Sequence, residues 1–432
     1  MKIILKLFSP FCLIVSTLIL IYVFYKSELV WMGNKREFFF SYYILSICLI
    51  FFSVGSFYLN RSFKEYLIII TISIVVGLYL SESYLLFKDN FFKSSREVNK
   101  LYKKQTKKEY DIRTKLEIFN DLKKNDNDIT LAIHPSIFLN KNYELYPLSG
   151  ISNSKTIFCN ENGYYAIYES DRYGFNNPDS EWDQSEIEYL LVGDSFTHGA
   201  CVNRPDDIAS VLRKLSNKSV LNLGFEDNGP LIEFAVLREF LNTKVKKVLW
   251  LYYEENDFRD LNEELTNNIL KNYLDDLSFK QNLILKQNEV DVLVNKIFQS
   301  ELKKKLFNFN KFIKLDKLRS IFIKGKKTKI RPQPEFKKIL ELTKDLTDRN
   351  NTKLYFIYLP EYNRYKSNFD NSNYKLVKTI VEDLNIPFID LNLLLFNNEK
   401  EPLKLFPFEL FGHYTVEGYQ KAAQTIFNLT KN

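Results

Sequence analysis

The sequence predicts an α/β fold, a parallel sheet with helices on both faces, preceded by three transmembrane helices. Short apolar runs alternate with helical stretches from about residue 129 onward, the pattern of strands buried on both faces. Several of these runs end in small or polar residues with chemical potential, where open α/β sheets place their ligands. Three uncharged apolar blocks lie within residues 1–87, each close to the ~20 residues a bilayer-spanning helix needs.

The first apolar block runs from Leu7 to Tyr25, the second from Phe38 to Leu59, and the third from Tyr66 to Leu80, extending towards Phe87. Lys2 and Lys6 precede the first block as they would in a signal peptide. No small-x-small cleavage site follows and two more blocks do, so a retained anchor is expected. Residues 88–128 are lysine-rich, with Leu101, Ile112, Leu116 and Phe119 at partial helical spacing. They read as a juxtamembrane helix or stalk. Residues 129–432 form the α/β domain. Its strand-like runs are ITLAIHPSIFL, EIEYLLVGDS, SVLNLGFEDNG, VKKVLWLYYEEND, TKLYFIYLP and IPFIDL. Helical stretches lie between them, and a last helix is expected over Val416–Leu429. A lysine-rich helical insertion at about 265–330 interrupts the alternation.

The chain has 432 residues, 45% of them apolar, so a large core is available. With 13 glycines and 12 prolines it is not a low-complexity chain. The net charge of +7 suits an anionic lipid or glycan surface and equally a solvated lysine-rich one. No zinc-finger spacing, RNA-binding signature or basic recognition helix is present, which argues against nucleic acid. Of the four cysteines, Cys12 and Cys48 fall in apolar blocks, and Cys159 and Cys201 in the rest. The last two are expected as free thiols, with a disulfide as the alternative in an oxidising compartment.

The run LLVGDSFTHG, Leu190–Gly199, sets Ser195 on a glycine-assisted turn at the carboxyl end of a strand. That is a place for a nucleophile. The next strand ends at Asn222-Leu223-Gly224, where a glycine can offer its N–H to a developing oxyanion. The strand after that leads to Asn256, whose side-chain amide is a second donor. Only three histidines exist, His134, His198 and His413. His413, just before the final helix, is placed to return to the serine as general base. His198 reads as an exposed turn residue and His134 as structural.

Ser195, Gly224, Asn256 and His413, in that order on a βα pattern, resemble the four blocks of the SGNH/GDSL hydrolase superfamily. The resemblance covers about Asp171–Leu429. DRYGFNNP and YYEENDFRDL are similar to a membrane-attached subgroup. It implies a flavodoxin-like sheet and a serine esterase or O-acyltransferase working through an acyl-enzyme on Ser195. The Ser195 and Gly224 N–H groups and Asn256 would hold the oxyanion. Neither metal nor organic cofactor is implied. The substrate would be an ester of an envelope glycan or lipid, and the alternative is a non-catalytic glycan-binding or assembly protein. Two positions depart from the family pattern. Glu254 stands where glycine is usual, and Leu410 and Phe411 stand where the triad aspartate is expected. Glu409 is the nearest carboxylate in sequence, and a Ser195–His413 dyad is the expectation unless a carboxylate elsewhere in the fold, or a backbone carbonyl, orients His413. The resemblance favours a catalytic domain outside the cytoplasm. Lys88, Lys93, Arg96, Lys100, Lys103 and Lys104 after the third block favour the inside. Oligomeric state is not legible.

Overall fold

The computed structural model describes residues 2–31, 33, 36–91, 95–303, 309–323, 334–366, 369 and 371–431. Two compact units emerge: Met1–Lys93 with Leu306–Lys327, and Ser94–Lys305 with Thr328–Asn432.

The first unit holds helices α1 (Lys2–Phe24), α2 (Arg36–Gly55) and α3 (Arg61–Phe91). A π-helical turn, Tyr25–Val30, prolongs α1. Three stretches are long and apolar enough to cross a membrane: Leu5–Val30, Arg36–Tyr58 and Arg61–Leu86. Their apolar side chains are largely exposed, Leu7, Phe11, Phe51 and Ile69 among them. Surface of that composition and size on a helix bundle suits lipid rather than water. Two short helices from the predicted insertion, Phe309–Ile313 and Asp316–Ile323, belong to this unit. Residues 304–308 and 324–330 of that insertion lie outside the described residues.

The second unit opens with α4 (Ser95–Thr106) and a helix at Lys115–Lys123, so residues 95–128 pack with the α/β domain. A small sheet follows, β1 (Ile129–Leu131), β2 (Lys155–Ile157) and β3 (Ile167–Glu169). β1 is parallel to β2, and β2 antiparallel to β3. The first predicted strand is cut short because Pro135, which has no N–H to give a ladder, starts a 3₁₀ turn over Pro135–Phe138.

The main sheet holds β4 (Ile187–Gly193), β5 (Val220–Asn222), β6 (Val245–Tyr253), β7 (Lys353–Leu359) and β8 (Phe388–Asp390). Its order is β5-β4-β6-β7-β8, every pair parallel. This is the 2-1-3-4-5 order of flavodoxin-like sheets. The pleat sends alternate residues to opposite faces. Leu190, Val192, Val248, Trp250 and Tyr252 enter one core with helices Pro230–Phe240 and Pro334–Arg349. Tyr189, Leu191, Leu249 and Leu251 enter the other with Ile208–Ser216 and Val416–Thr430. Both faces are covered, which is why the strands read as continuous apolar runs. The crossing from β5 to β6 on either side of β4 makes a crevice at the carboxyl ends of β4 and β6.

Candidate active site

Ser195 begins a four-residue helix, Ser195–His198, directly after β4. Asp194 caps it by accepting the Phe196 N–H at 2.9 Å. Glycine is required at position 193, where a Cβ would lie 2.1 Å from Thr197 Oγ1 and 2.6 Å from the Leu251 carbonyl. The turn is thereby pressed against β6 and the serine is raised at its rim.

The structure brings His413 to Ser195, with Nε2 and Oγ 2.9 Å apart. The other ring nitrogen meets a residue that sequence reasoning did not select. Nδ1 lies 3.1 Å from Glu161 Oε2, and the same oxygen accepts the His413 backbone N–H at 2.7 Å. Burial alone would lower the imidazole pKa. The charge and hydrogen bond of Glu161, helped by Asp194 and Glu226, outweigh it and leave His413 raised. Burial likewise works to raise the Glu161 pKa, and His413 outweighs it in the opposite direction, so the carboxylate is favoured. Glu409 plays no part in this contact. It is exposed, and its carbonyl accepts the Tyr362 hydroxyl at 2.8 Å. Leu410 and Phe411 are exposed too. The dyad expectation is therefore corrected to a Ser195–His413–Glu161 chain of contacts.

Glu161 stands on the loop between β2 and β3. Several bonds fix that loop. Asn160 Nδ2 donates to the Asp111 carbonyl at 2.8 Å, and Tyr110 Oη to the Asn160 carbonyl at 3.1 Å. Cys159, two residues before Glu161, is disulfide-bonded to Cys201, six residues after Ser195. Asn162 Nδ2 adds a bond to the Cys201 carbonyl at 3.0 Å. The expected free thiols are thus a disulfide, joining the loop that carries Glu161 to the loop that follows Ser195. Glu161, His413 and the Cys201 sulfur have donor atoms within 4.8 Å of one another, a spacing a metal can use. The sulfur is committed to its disulfide and Nε2 faces Ser195, so this set does not suit an ion.

Two of the three expected oxyanion donors are arranged less simply. Glycine is needed at 224, because a Cβ would come within 2.4 Å of Thr197 Cβ. Its N–H donates to Asn222 Oδ1 at 3.0 Å. Asn256 follows β6, and its Nδ2 donates to Asp260 Oδ2 at 2.8 Å, while its side chain also hydrogen-bonds the Asp194 carboxyl, so the amide rests between two acids. Burial raises the Asp260 pKa to about 6. The DRYGFNNP segment braces this edge. Asp171 accepts from Asn177 Nδ2 and Trp182 Nε1, Asn177 bonds the Asn222 backbone in both directions, and Asn176 Nδ2 donates to the His198 carbonyl.

His198 is not an exposed turn residue. It is fully buried, stacked on Phe158 with ring centroids 4.3 Å apart, and burial pushes its pKa down to about 3. His134 Nδ1 lies 2.6 Å from Ser136 Oγ. Glu254, at the position where glycine was expected, is a buried anchor. It pairs with Arg364 and accepts the Tyr358 hydroxyl and the Glu361 N–H, each at 2.7 Å.

No family model matches the chain. No curated protein matches it either. Among solved structures, a protein from Desulfitobacterium hafniense described as a lipolytic member of the G-D-S-L family aligns with 56% of this chain and 99% of its own. The identity is 14% and the TM-score 0.30.

Proposed function

We propose that the protein is a membrane-anchored serine esterase or O-acyltransferase of the SGNH type, acting on an ester of an envelope glycan or lipid. The observation that carries this reading is the unbroken contact from Ser195 Oγ through both His413 nitrogens to Glu161. A nucleophile, a base and an orienting acid stand in the geometry of a catalytic triad. The sequence of steps follows from it. Ser195 Oγ attacks the acyl carbon while its proton passes to His413 Nε2. Glu161 holds the proton on Nδ1 and stabilises the imidazolium. The Ser195 N–H donates to the growing oxyanion, and Asn256 Nδ2 and the Gly224 N–H join when they turn from their resting acceptors, Asp260 and Asn222. The imidazolium then protonates the departing alcohol oxygen, leaving an acyl-enzyme. Water or a sugar hydroxyl attacks that ester, loses its proton to His413, and Ser195 is restored. Hydrolysis and transfer differ only in this last nucleophile.

The disulfide favours a hydrolase unit outside the cytoplasm, because such bonds persist in oxidising compartments. The alternative, a non-catalytic binding protein, draws on the missing aspartate and on the lysine-rich insertion; Glu161 beside His413 speaks against the first of these grounds. The deciding experiment is labelling by a fluorophosphonate probe: the wild type should be labelled and Ser195→Ala should not. Labelling that survives Ser195→Ala, or that never occurs in the folded protein, overturns the enzyme reading.

A further inference from the structure

Glu82 is a carboxylate inside the third span, fully buried. A charge at such a depth is costly and needs partners. Its partners come from more than two hundred residues further along the chain: Oε1 accepts the Lys317 N–H at 2.9 Å and Oε2 the Leu318 N–H at 2.8 Å. These N–H groups belong to the first turn of the Asp316–Ile323 helix, whose dipole also favours an anion there. Tyr79, one helical turn earlier, donates its hydroxyl to the Ile313 carbonyl at 3.1 Å and packs its ring 5.3 Å from Phe312.

The other two spans meet the same segment. Lys314 Nζ lies 5.7 Å from the Tyr22 ring centre on α1. Arg319 lies 5.5 Å from the Tyr42 ring on α2 and bonds its hydroxyl at 3.3 Å. Three antiparallel spans put the end of α1, the start of α2 and the end of α3 on one side of the membrane. Tyr22, Tyr42 and Tyr79 each sit six to eight residues inside those ends, about 10 Å at 1.5 Å per residue. A 26-residue span is about 39 Å long, against a hydrocarbon core of about 30 Å. With the excess length shared between the two ends, the contacts fall about 5–7 Å inside the hydrocarbon edge, the depth at which an interfacial helix buries its apolar face.

The segment has the composition for that boundary. Phe309, Ile313 and Ile321 are 49 to 63% exposed. Lys311, Lys314, Lys317 and Arg319 oppose a single acid, Asp316. Apolar residues facing outward beside a basic set suit an anionic leaflet. We propose that residues 309–323 form a re-entrant interface segment. Phe309, Ile313 and Ile321 lie among lipid acyl chains and the basic side chains on anionic phospholipid headgroups, on the side where α3 leaves the membrane. The α/β chain is then tied to the membrane at two places, after α3 and again through this return. The proposal rests on the three spans and is independent of the esterase reading.

The test uses the full chain with Cys12→Ala, Cys48→Ala and Ile321→Cys, labelled with an environment-sensitive fluorophore and reconstituted in phosphatidylcholine vesicles containing phosphatidylglycerol. Acyl-chain bromines should quench the label at least twofold, and aqueous iodide should hardly affect it. Spin-labelled phosphatidylglycerol should quench at least twice as strongly as spin-labelled phosphatidylcholine. That ratio should fall to one when Lys311, Lys314, Lys317 and Arg319 are all changed to Gln. Glu82→Ala should leave the protein in the membrane pellet while iodide quenching rises severalfold. A label quenched by iodide and not by bromolipid in the parent protein overturns the proposal. So does one shielded from both, as contact with a second protein copy would produce. A phosphatidylglycerol-to-phosphatidylcholine ratio of one in the parent overturns the choice of anionic lipid.

Discussion

Replacing Glu161 by Gln keeps the shape of the side chain and removes its charge. Oε2 sits 3.1 Å from His413 Nδ1. Unit charges at that distance attract by about 5 kcal/mol at an effective dielectric of 20, close to four factors of ten in rate. The two side chains are 31% and 22% exposed, so water screens part of this. A loss of about a thousandfold to ten-thousandfold is expected, in line with the roughly four orders lost when a serine-protease triad exchanges its carboxylate for an amide. The amide can also offer a hydrogen to Nδ1 and favour the wrong tautomer. The assay is the rate of fluorophosphonate labelling of Ser195, with turnover of a simple acetyl ester beside it, both against pH. The neutral imidazole is the base, so the rate rises as pH passes the His413 pKa. That pKa is raised above its ordinary 6.5 with Glu161 present. Removing the anion takes away support for the imidazolium, so the rising limb should move to lower pH as its plateau falls. A Glu161→Gln protein within threefold of wild type, alongside an inactive His413→Ala, would refute the assignment of Glu161 to the site.

The Cys159–Cys201 bond closes a separation of 42 residues, so Cys159→Ser should cost about 4 kcal/mol of stability by chain entropy, read from denaturant midpoints. Reductant should also slow Ser195 labelling in wild type, with no further effect in Glu161→Gln, where the positioned acid is already lost. Asn256→Ala should lower turnover about a hundredfold or more with little change in KM. Asp260→Ala, which frees the Asn256 amide held at 2.8 Å, should lower it about tenfold, the worth of one hydrogen bond to a charged group. Glu409→Gln should leave both labelling and turnover unchanged, since that side chain is exposed and away from His413; a loss matching His413→Ala would place it in the site instead.

The main sheet was legible because burial on both faces writes itself into the sequence as apolar runs such as YLLVG and VLWLYY. The positions of Ser195, Gly224, Asn256 and His413 just after strands or before a helix were legible because such ends are local features. Glu161 lies 252 positions from His413, on a small sheet that no periodicity connects to the larger one. The available clue was the pair of soluble-part cysteines. Once Cys159 is joined to Cys201, a carboxylate two residues from the first comes within reach of the serine turn. His198 was misplaced for a similar reason: a histidine in a polar-looking turn gives no sign that Phe158 and Tyr168, from the same small sheet, will bury it. Both misses point to one physical fact. Residues 155–169, which lie before Asp171 where the family resemblance begins, pack against the turn that carries Ser195. They bring Glu161 to His413, carry one end of the Cys159–Cys201 disulfide, and set the Phe158 and Tyr168 rings against His198. On the proposed mechanism the usual aspartate beside the histidine is therefore dispensable. Its task is done from the opposite rim, and Leu410 and Phe411 are free to face outward.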